Sequence, residues 1–179
     1  IPAGRLGGGP SIQGQGKYLI DAGHSTTIYN GECVKISSGY VVGGNGSAAD
    51  IVGVLNGIFY NDASTLKPTF ANFYKATITP ANSEDTVAFV IDDPFQQYVV
   101  STDDARTQAQ FLATYDMNSS AGSDTTGKSS STLDTSVTDA NGKQFRLLRS
   151  AEDPENEDIT AAFFSGIVVS NTNSFNGHN

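Results

Sequence analysis

The sequence predicts an all-β fold, antiparallel in its pairing, with long polar loops and a glycine-rich amino-terminal arm. Three observations predict it. From Tyr18 onward the apolar runs are short and rich in Val, Ile, Phe and Tyr, residue types that suit a pleated, half-buried surface. Clusters of Gly, Asn, Asp and Ser separate these runs, which is the rhythm of strands and turns. No stretch beyond 103–110 sustains an amphipathic helical period, so no helix longer than about three turns is expected.

A chain of 179 residues and 18.8 kDa, 37% hydrophobic, can bury roughly two thirds of its unfolded surface, enough for a single domain. The expected division is an arm over 1–16 and one β-rich domain over 17–179. The arm carries Gly4, Gly7, Gly8, Gly9, Gly14 and Gly16 with Pro2 and Pro10. Ordering so many glycines costs backbone entropy that few side chains can offset. The arm is therefore expected to be flexible until it lies on a partner, with Arg5, Leu6 and Ile12 as its contacts.

In the domain, strands are expected at about 26–29, 32–37, 40–43, 51–55, 58–60, 73–79, 86–91, 96–100, 111–116, 144–149 and 162–169. Ser38-Gly39 makes the tight turn between the second and third of these. In "TVAFVIDDPFQQYVV", Val87, Phe89 and Ile91 recur at period two, Asp92-Asp93-Pro94 turns, and Tyr98 and Val100 return, which reads as a hairpin. Val34, Ile36, Val54 and Phe89 are the expected core residues. The stretch 103–110 looks briefly helical, with Asp103 at its N-cap. Residues 118–142 are Ser/Thr/Gly-rich and should form a long surface excursion, and the acidic "AEDPENED" at 151–158 should be solvated.

Charge and composition narrow the function classes. Nineteen acidic against ten basic residues give a net charge of −9, so phosphate backbones meet like charge and direct nucleic-acid binding is disfavoured. A lone Cys33 cannot form an intramolecular disulfide, and in its apolar run it reads as a small core residue. With His24 and His178 as the only histidines, no ligand set has zinc spacing and none is assigned. No apolar stretch approaches the ~18 residues of a membrane span. The chain opens on Ile1 rather than Met, as a trimmed or incomplete product would.

Motifs that resemble catalytic ones fail on particular requirements. "GPSIQGQGKY" has Ser11 where a phosphate loop needs glycine and Tyr18 where it needs the short Ser or Thr hydroxyl after the lysine. Asp92-Asp93 before proline is turn chemistry, since neighbours at a turn point apart. His24-Ser25 has no accompanying nucleophile elbow. Catalytic residues, cofactors and metals are accordingly not assigned, and the chain reads as no enzyme. Phe70, Phe73 and Tyr74 lie close in sequence and are read either as core or as a platform for stacking a sugar.

"IYNGECVKISSGYVVGGNGSAADIVGVLNGIFY" resembles the pattern of tailed-bacteriophage head decoration, or capsid cement, proteins. It runs Tyr-x-Gly-x-x-Val-x-Leu/Ile, a turn, a valine-rich strand, a polar gap and an apolar-Gly-Val-Leu/Phe closure. Tyr29, Gly31, Val34, Ile36, Val41, Val42, Gly53, Val54 and Leu55 carry it here. The longer version found in short-tailed marine phages is similar also at Lys67-Pro68-Thr69 with Tyr74, Ala88 to Pro94, Thr125 to Gly127 and Phe145-Arg146, so that the resemblance spans roughly 17–150.

The resemblance implies a compact antiparallel β-barrel of β-tulip-like form. It implies a structural virion protein that binds the outer surface of the assembled capsid and stabilises it. Its partner would be the phage major capsid protein, with homo-oligomers or symmetric copies around a local capsid axis and no contact with nucleic acid or membrane. It would be made in the host cytoplasm and end on the capsid exterior. The other expectation is a virion-displayed carbohydrate-binding or adhesive β-module built on the Phe70, Phe73, Tyr74 cluster.

Overall fold

A computed structural model describes residues 2–6, 14–46, 50–118, 122–139 and 142–175. Through them run strands β1 (Pro2–Arg5), β2 (Gly16–Ile20), β3 (Cys33–Ser37), β4 (Tyr40–Gly43), β5 (Gly53–Asn61), β6 (Pro68–Ala71), β7 (Thr86–Ile91), β8 (Gln96–Ser101), β9 (Thr114–Met117), β10 (Leu133–Asp139), β11 (Phe145–Ser150) and β12 (Ser165–Ser170). The fold is all-β. Among the described residues the only helical pieces are 3-10 turns at Ala81–Ser83 and Gln108–Gln110, and no helix is long and apolar enough to cross a membrane.

Two antiparallel six-stranded sheets make up the domain. The first has the order β1-β8-β12-β11-β9-β10, and the second β2-β7-β5-β3-β4 with β6 also paired to β5. The expected closed barrel is not formed. The second sheet curls until its end strands β2 and β4 touch, yet no ladder joins them among the described residues, and the arrangement is sandwich-like.

The curl has a local cause in β5. This long strand pairs β7 along one edge and is shared by β3 at its start and β6 at its end on the other. The sequence reads as two runs broken at Asn56-Gly57, whereas the structure keeps one strand with a bulge between Leu55 and Gly57, and a bulge bends and twists its strand. At Gly53 the backbones of β5 and β7 come so close that a Cβ would collide with Ile91 O and sit 2.8 Å from Ile91 C.

The buried apolar residues form two cores. Val34, Val41, Leu55, Ala88 and Val90 meet inside the curl of the second sheet, which Ile28 and Tyr74 close through an isolated bridge. Between the sheets, Cys33, Ile51 and Ile91 meet Tyr98, Tyr115, Leu133 and Phe145. Each Val, Leu, Ile or Phe among them contributes about 1.5–3 kcal/mol when fully buried.

The stretch read as a hairpin is a crossover. Its turn is present, with the Gln96 N–H donating to Asp93 O at 3.0 Å. However, β7 pairs β2 and β5 while β8 pairs β1 and β12. Alternation marks strands without naming their partners, and Ile91 and Tyr98 both enter the core between the sheets. The chain therefore rounds a corner there, and the Tyr98 hydroxyl donates to Ile91 O at 3.1 Å.

The arm is not free at its ends. Pro2–Arg5 adds a strand to the edge of β8, Gln96 Nε2 donates to Gly4 O at 2.9 Å and Leu6 N–H to Phe95 O at 2.8 Å. Main-chain pairing supplies what the arm lacks in apolar side chains. Gly16 already belongs to β2, and Ile12 lies outside the described residues.

Elsewhere, 26–29 and 73–79 contribute only the bridge of Ile28 to Tyr74, and β6 forms at Pro68–Ala71 instead. Within the polar excursion 118–142 stands β10, paired to β9. It lacks apolar alternation because its inward Thr135 is satisfied by Asp103, which accepts the Thr135 N–H at 2.9 Å and also its hydroxyl. Asp103 therefore caps no helix, and the short 3-10 turn starts from Thr107.

Candidate functional site

The outer face of the second sheet carries a row of apolar side chains set by strand register. Leu19 of β2 is opposite Val87 of β7, Val87 is opposite Phe59 of β5, and Phe59 is opposite Phe70 of β6. Residues directly opposite share a face. The row crosses four strands, ~14 Å at about 4.8 Å per strand spacing. Phe89, paired between Lys17 and Gly57, widens it.

The three phenylalanines form a cluster. Ring centroids of Phe59 and Phe70 are 4.8 Å apart and those of Phe70 and Phe89 6.3 Å. Phe70 is 73% exposed and Leu19 44%, while Val87, Phe59 and Phe89 are half-buried. The inward positions of the same strands, Ala88, Val90 and Ile58, are fully enclosed. Strands apolar on both faces are the mark of a sheet covered on both sides, and here the first sheet covers the outer side at Ile91 and leaves it open from Phe89 to Val87.

Lys17, opposite Phe89, stands exposed beside the row and Lys67 stands exposed just before β6, and neither forms an ion pair among the described residues. In a chain of net charge −9, an apolar face with a cationic rim is set apart from its surroundings. Exposed apolar patches of this kind mark docking surfaces.

The residues expected to touch a partner lie elsewhere. Arg5 is held in the first sheet, its Nε 2.6 Å from Asp93 Oδ2 and its guanidinium over the Phe95 ring at 5.8 Å. Leu6 is exposed beside it. Neither belongs to the aromatic face.

Phe70, Phe73 and Tyr74 are not brought together. Tyr74 is in the core, its hydroxyl donating to His24 O at 2.8 Å. Phe73 stacks on Tyr29, centroids 5.8 Å apart and planes 6° from parallel. The Tyr29 hydroxyl donates to Asp124 at 2.8 Å and Lys75 pairs with Asp124 at 3.3 Å. Those partners hold the Asp124 carboxyl below its ordinary range, so the 122–128 loop is fastened to the ring pair. His24 packs against Tyr74 at 5.5 Å, and burial pushes its pKa down.

Asp92 and Asp93 point apart, as turn chemistry requires. Asp92 accepts the Tyr18 hydroxyl at 2.8 Å, and Asp93 takes Arg5 and the Phe95 N–H at 3.0 Å. Asp62 lines an open cleft of about 590 Å³ with Tyr60, Ser64 and Thr77. Its Oδ1 is already taken by the Ser64 and Thr65 N–H groups, both at 2.9 Å. A second cleft of about 450 Å³ opens between the sheets at Val54, Ile91, Tyr98, Val100 and Met117. Among the described residues no three His, Cys, Asp or Glu side chains are grouped as metal ligands.

Comparison with protein families, curated proteins and solved structures finds no match.

Leu19, Phe59 and Val87 were missed by sequence reasoning. The signal was present in "VAFVI", where both phases of the alternation are apolar. The phase of Val87 and Phe89 was read as inward, but the narrow curl takes the smaller Ala88 and Val90 inside and leaves the phenylalanine outside.

Proposed function

We propose that this chain is a structural virion protein that binds the outer surface of an assembled phage capsid and stabilises it, docking through the outer face of its second sheet. The observation that carries the reading is the exposed Leu19–Val87–Phe59–Phe70 row with Phe89 and its lysine rim. The resemblance to decoration proteins between about residues 17 and 150 supports the same reading, because its motifs are structural and include Lys67-Pro68 at the start of β6.

Such a role requires no chemistry. A protein that binds the assembled shell and not its separate subunits stabilises the shell by mass action. Copies on symmetric positions multiply a modest contact per copy.

Cosedimentation with purified capsids tests the proposal. The wild-type chain is expected to pellet with the shell. Phe70→Ser is expected to lose about tenfold or more in affinity per copy, since a buried Phe contributes about 1.5–3 kcal/mol. A chain that stays in the supernatant at saturating capsid overturns the reading. Binding to a glycan through Phe70 without capsid binding would put the carbohydrate-binding module in its place.

A further inference from the structure

Arg106 lies between β8 and the 3-10 turn, its N–H donating to Ile159 O at 2.6 Å. The residue is only 8% exposed. Its guanidinium carbon stands 5.5 Å from the centroid of the Tyr115 ring, and its Nε is enclosed without a hydrogen-bond acceptor. Among the described residues no carboxylate pairs with it.

The carboxylates near it in the chain or across that backbone bond are engaged elsewhere. Asp103 takes the Thr135 N–H and hydroxyl. Asp104 takes the Ala105 N–H at 2.8 Å. Asp158 takes the Thr160 N–H at 2.9 Å and its hydroxyl at 2.6 Å. A ring face offsets part of the cost of enclosing a guanidinium, but it gives the enclosed Nε–H no oxygen. A buried charged donor in that condition is costly until an acceptor reaches it.

We propose that Arg106 is the receptor of a small anion site that takes a carboxylate. A single planar fork with no second cation beside it matches a planar monoanion, whereas a phosphate calls for more positive charge. The acidic chain repels anions at range, but that field is screened beyond about 8 Å at physiological ionic strength. At contact the desolvated guanidinium prevails.

The test titrates sodium acetate into the full chain at constant ionic strength, exchanging it for chloride, and follows the Arg106 Nε–H resonance, identified by its contact with the Tyr115 ring. The expected result is a saturable shift of that resonance, with Arg149 unmoved, and a parallel rise in the thermal midpoint. Arg106→Lys is expected to weaken the acetate effect about tenfold, because a lysine lacks the fork. A resonance that acetate does not move, or an equal midpoint rise in wild type and Arg106→Lys, overturns the site. A larger response to inorganic phosphate than to acetate overturns the carboxylate assignment. If Arg106→Lys fails to fold, the wild-type resonance alone decides.

Discussion

Arg5 Nε and Asp93 Oδ2 meet at 2.6 Å across 88 positions of sequence, fastening the first strand to the turn between the sheets. The pair is partly exposed on the arginine side, 37% against 10% for the aspartate, so solvent screening limits its contribution to about 1 kcal/mol. Arg5→Ala is expected to shift the global melt by only that amount while amide exchange along β1 and the facing edge of β8 speeds up strongly. Unchanged exchange at Gln96 and Tyr98 would show that β1 is held without the pair.

Removing residues 1–6 altogether is a different experiment, because β8 then presents an unpaired edge. Bare edges recruit other chains. The truncated protein is expected to self-associate at concentrations where the full chain does not, read by analytical ultracentrifugation. A truncated chain as dispersed as the full one would mean that the edge is protected in some other way.

Val34 and Ile36 share β3 but not its environment: Val34 is 0% exposed and Ile36 40%. Val34→Ala is expected to cost about 1–3 kcal/mol, and Ile36→Ser within about 0.5 kcal/mol of nothing. Chemical denaturation of the two variants checks the map. Equal losses would place Ile36 back in the core.

Gly53 has no room for a side chain, since its Cβ would fall on the Ile91 backbone. Relief requires moving β5 from β7, so Gly53→Ala is expected to lose several kcal/mol, in the range of severe core overpacking. Thermal unfolding settles it, and a loss below about 1 kcal/mol would show that the two strands part easily.

Glu32 gives the fold a pH dependence. Burial raises its carboxyl pKa, partly opposed by the Tyr29 N–H that donates to it at 2.9 Å. The folded state then binds this proton more tightly than the unfolded chain, so stability falls as pH rises through the interval between the unfolded and folded values. The penalty is absent below that interval and complete above it. Glu32→Gln keeps an acceptor for Tyr29 and removes the charge, so it is expected to stabilise at neutral pH and to lose the advantage in acid. A pH-independent difference between the two proteins would assign the effect to packing.

Turns and strand positions were legible where local chemistry determines them. Ser38-Gly39 makes the β3–β4 turn with positive φ at both residues, 51° and 87°, as a two-residue hairpin demands. Partners were not legible, because alternation in β7 and β8 is the same whether the strands pair with each other or with strands distant in the chain. Ile36 failed as a core residue because β5 covers β3 only at Cys33 and Val34, an extent no local pattern encodes. β10 was hidden because a threonine satisfied by Asp103 can do inside what an apolar residue usually does. The apolar outer face was concealed by the same ambiguity of phase in "VAFVI", whereas the exposed Phe70 belonged to a cluster already singled out for its rings.

The sheet order has a consequence for how the chain is synthesised. Strands β2 to β7 build the second sheet from one uninterrupted stretch, and β8 to β12 build most of the first from the next. β1 breaks this division, since it emerges first and its edge, Gln96 to Tyr98, emerges some ninety residues later. At a translation rate of about 5–20 residues per second, the first strand waits seconds for its neighbour while the second sheet can already be complete. The strand that emerges earliest therefore finds its partner only after the strands of the second sheet have all been made, and its ladder opens the first sheet before β9 to β12 complete it.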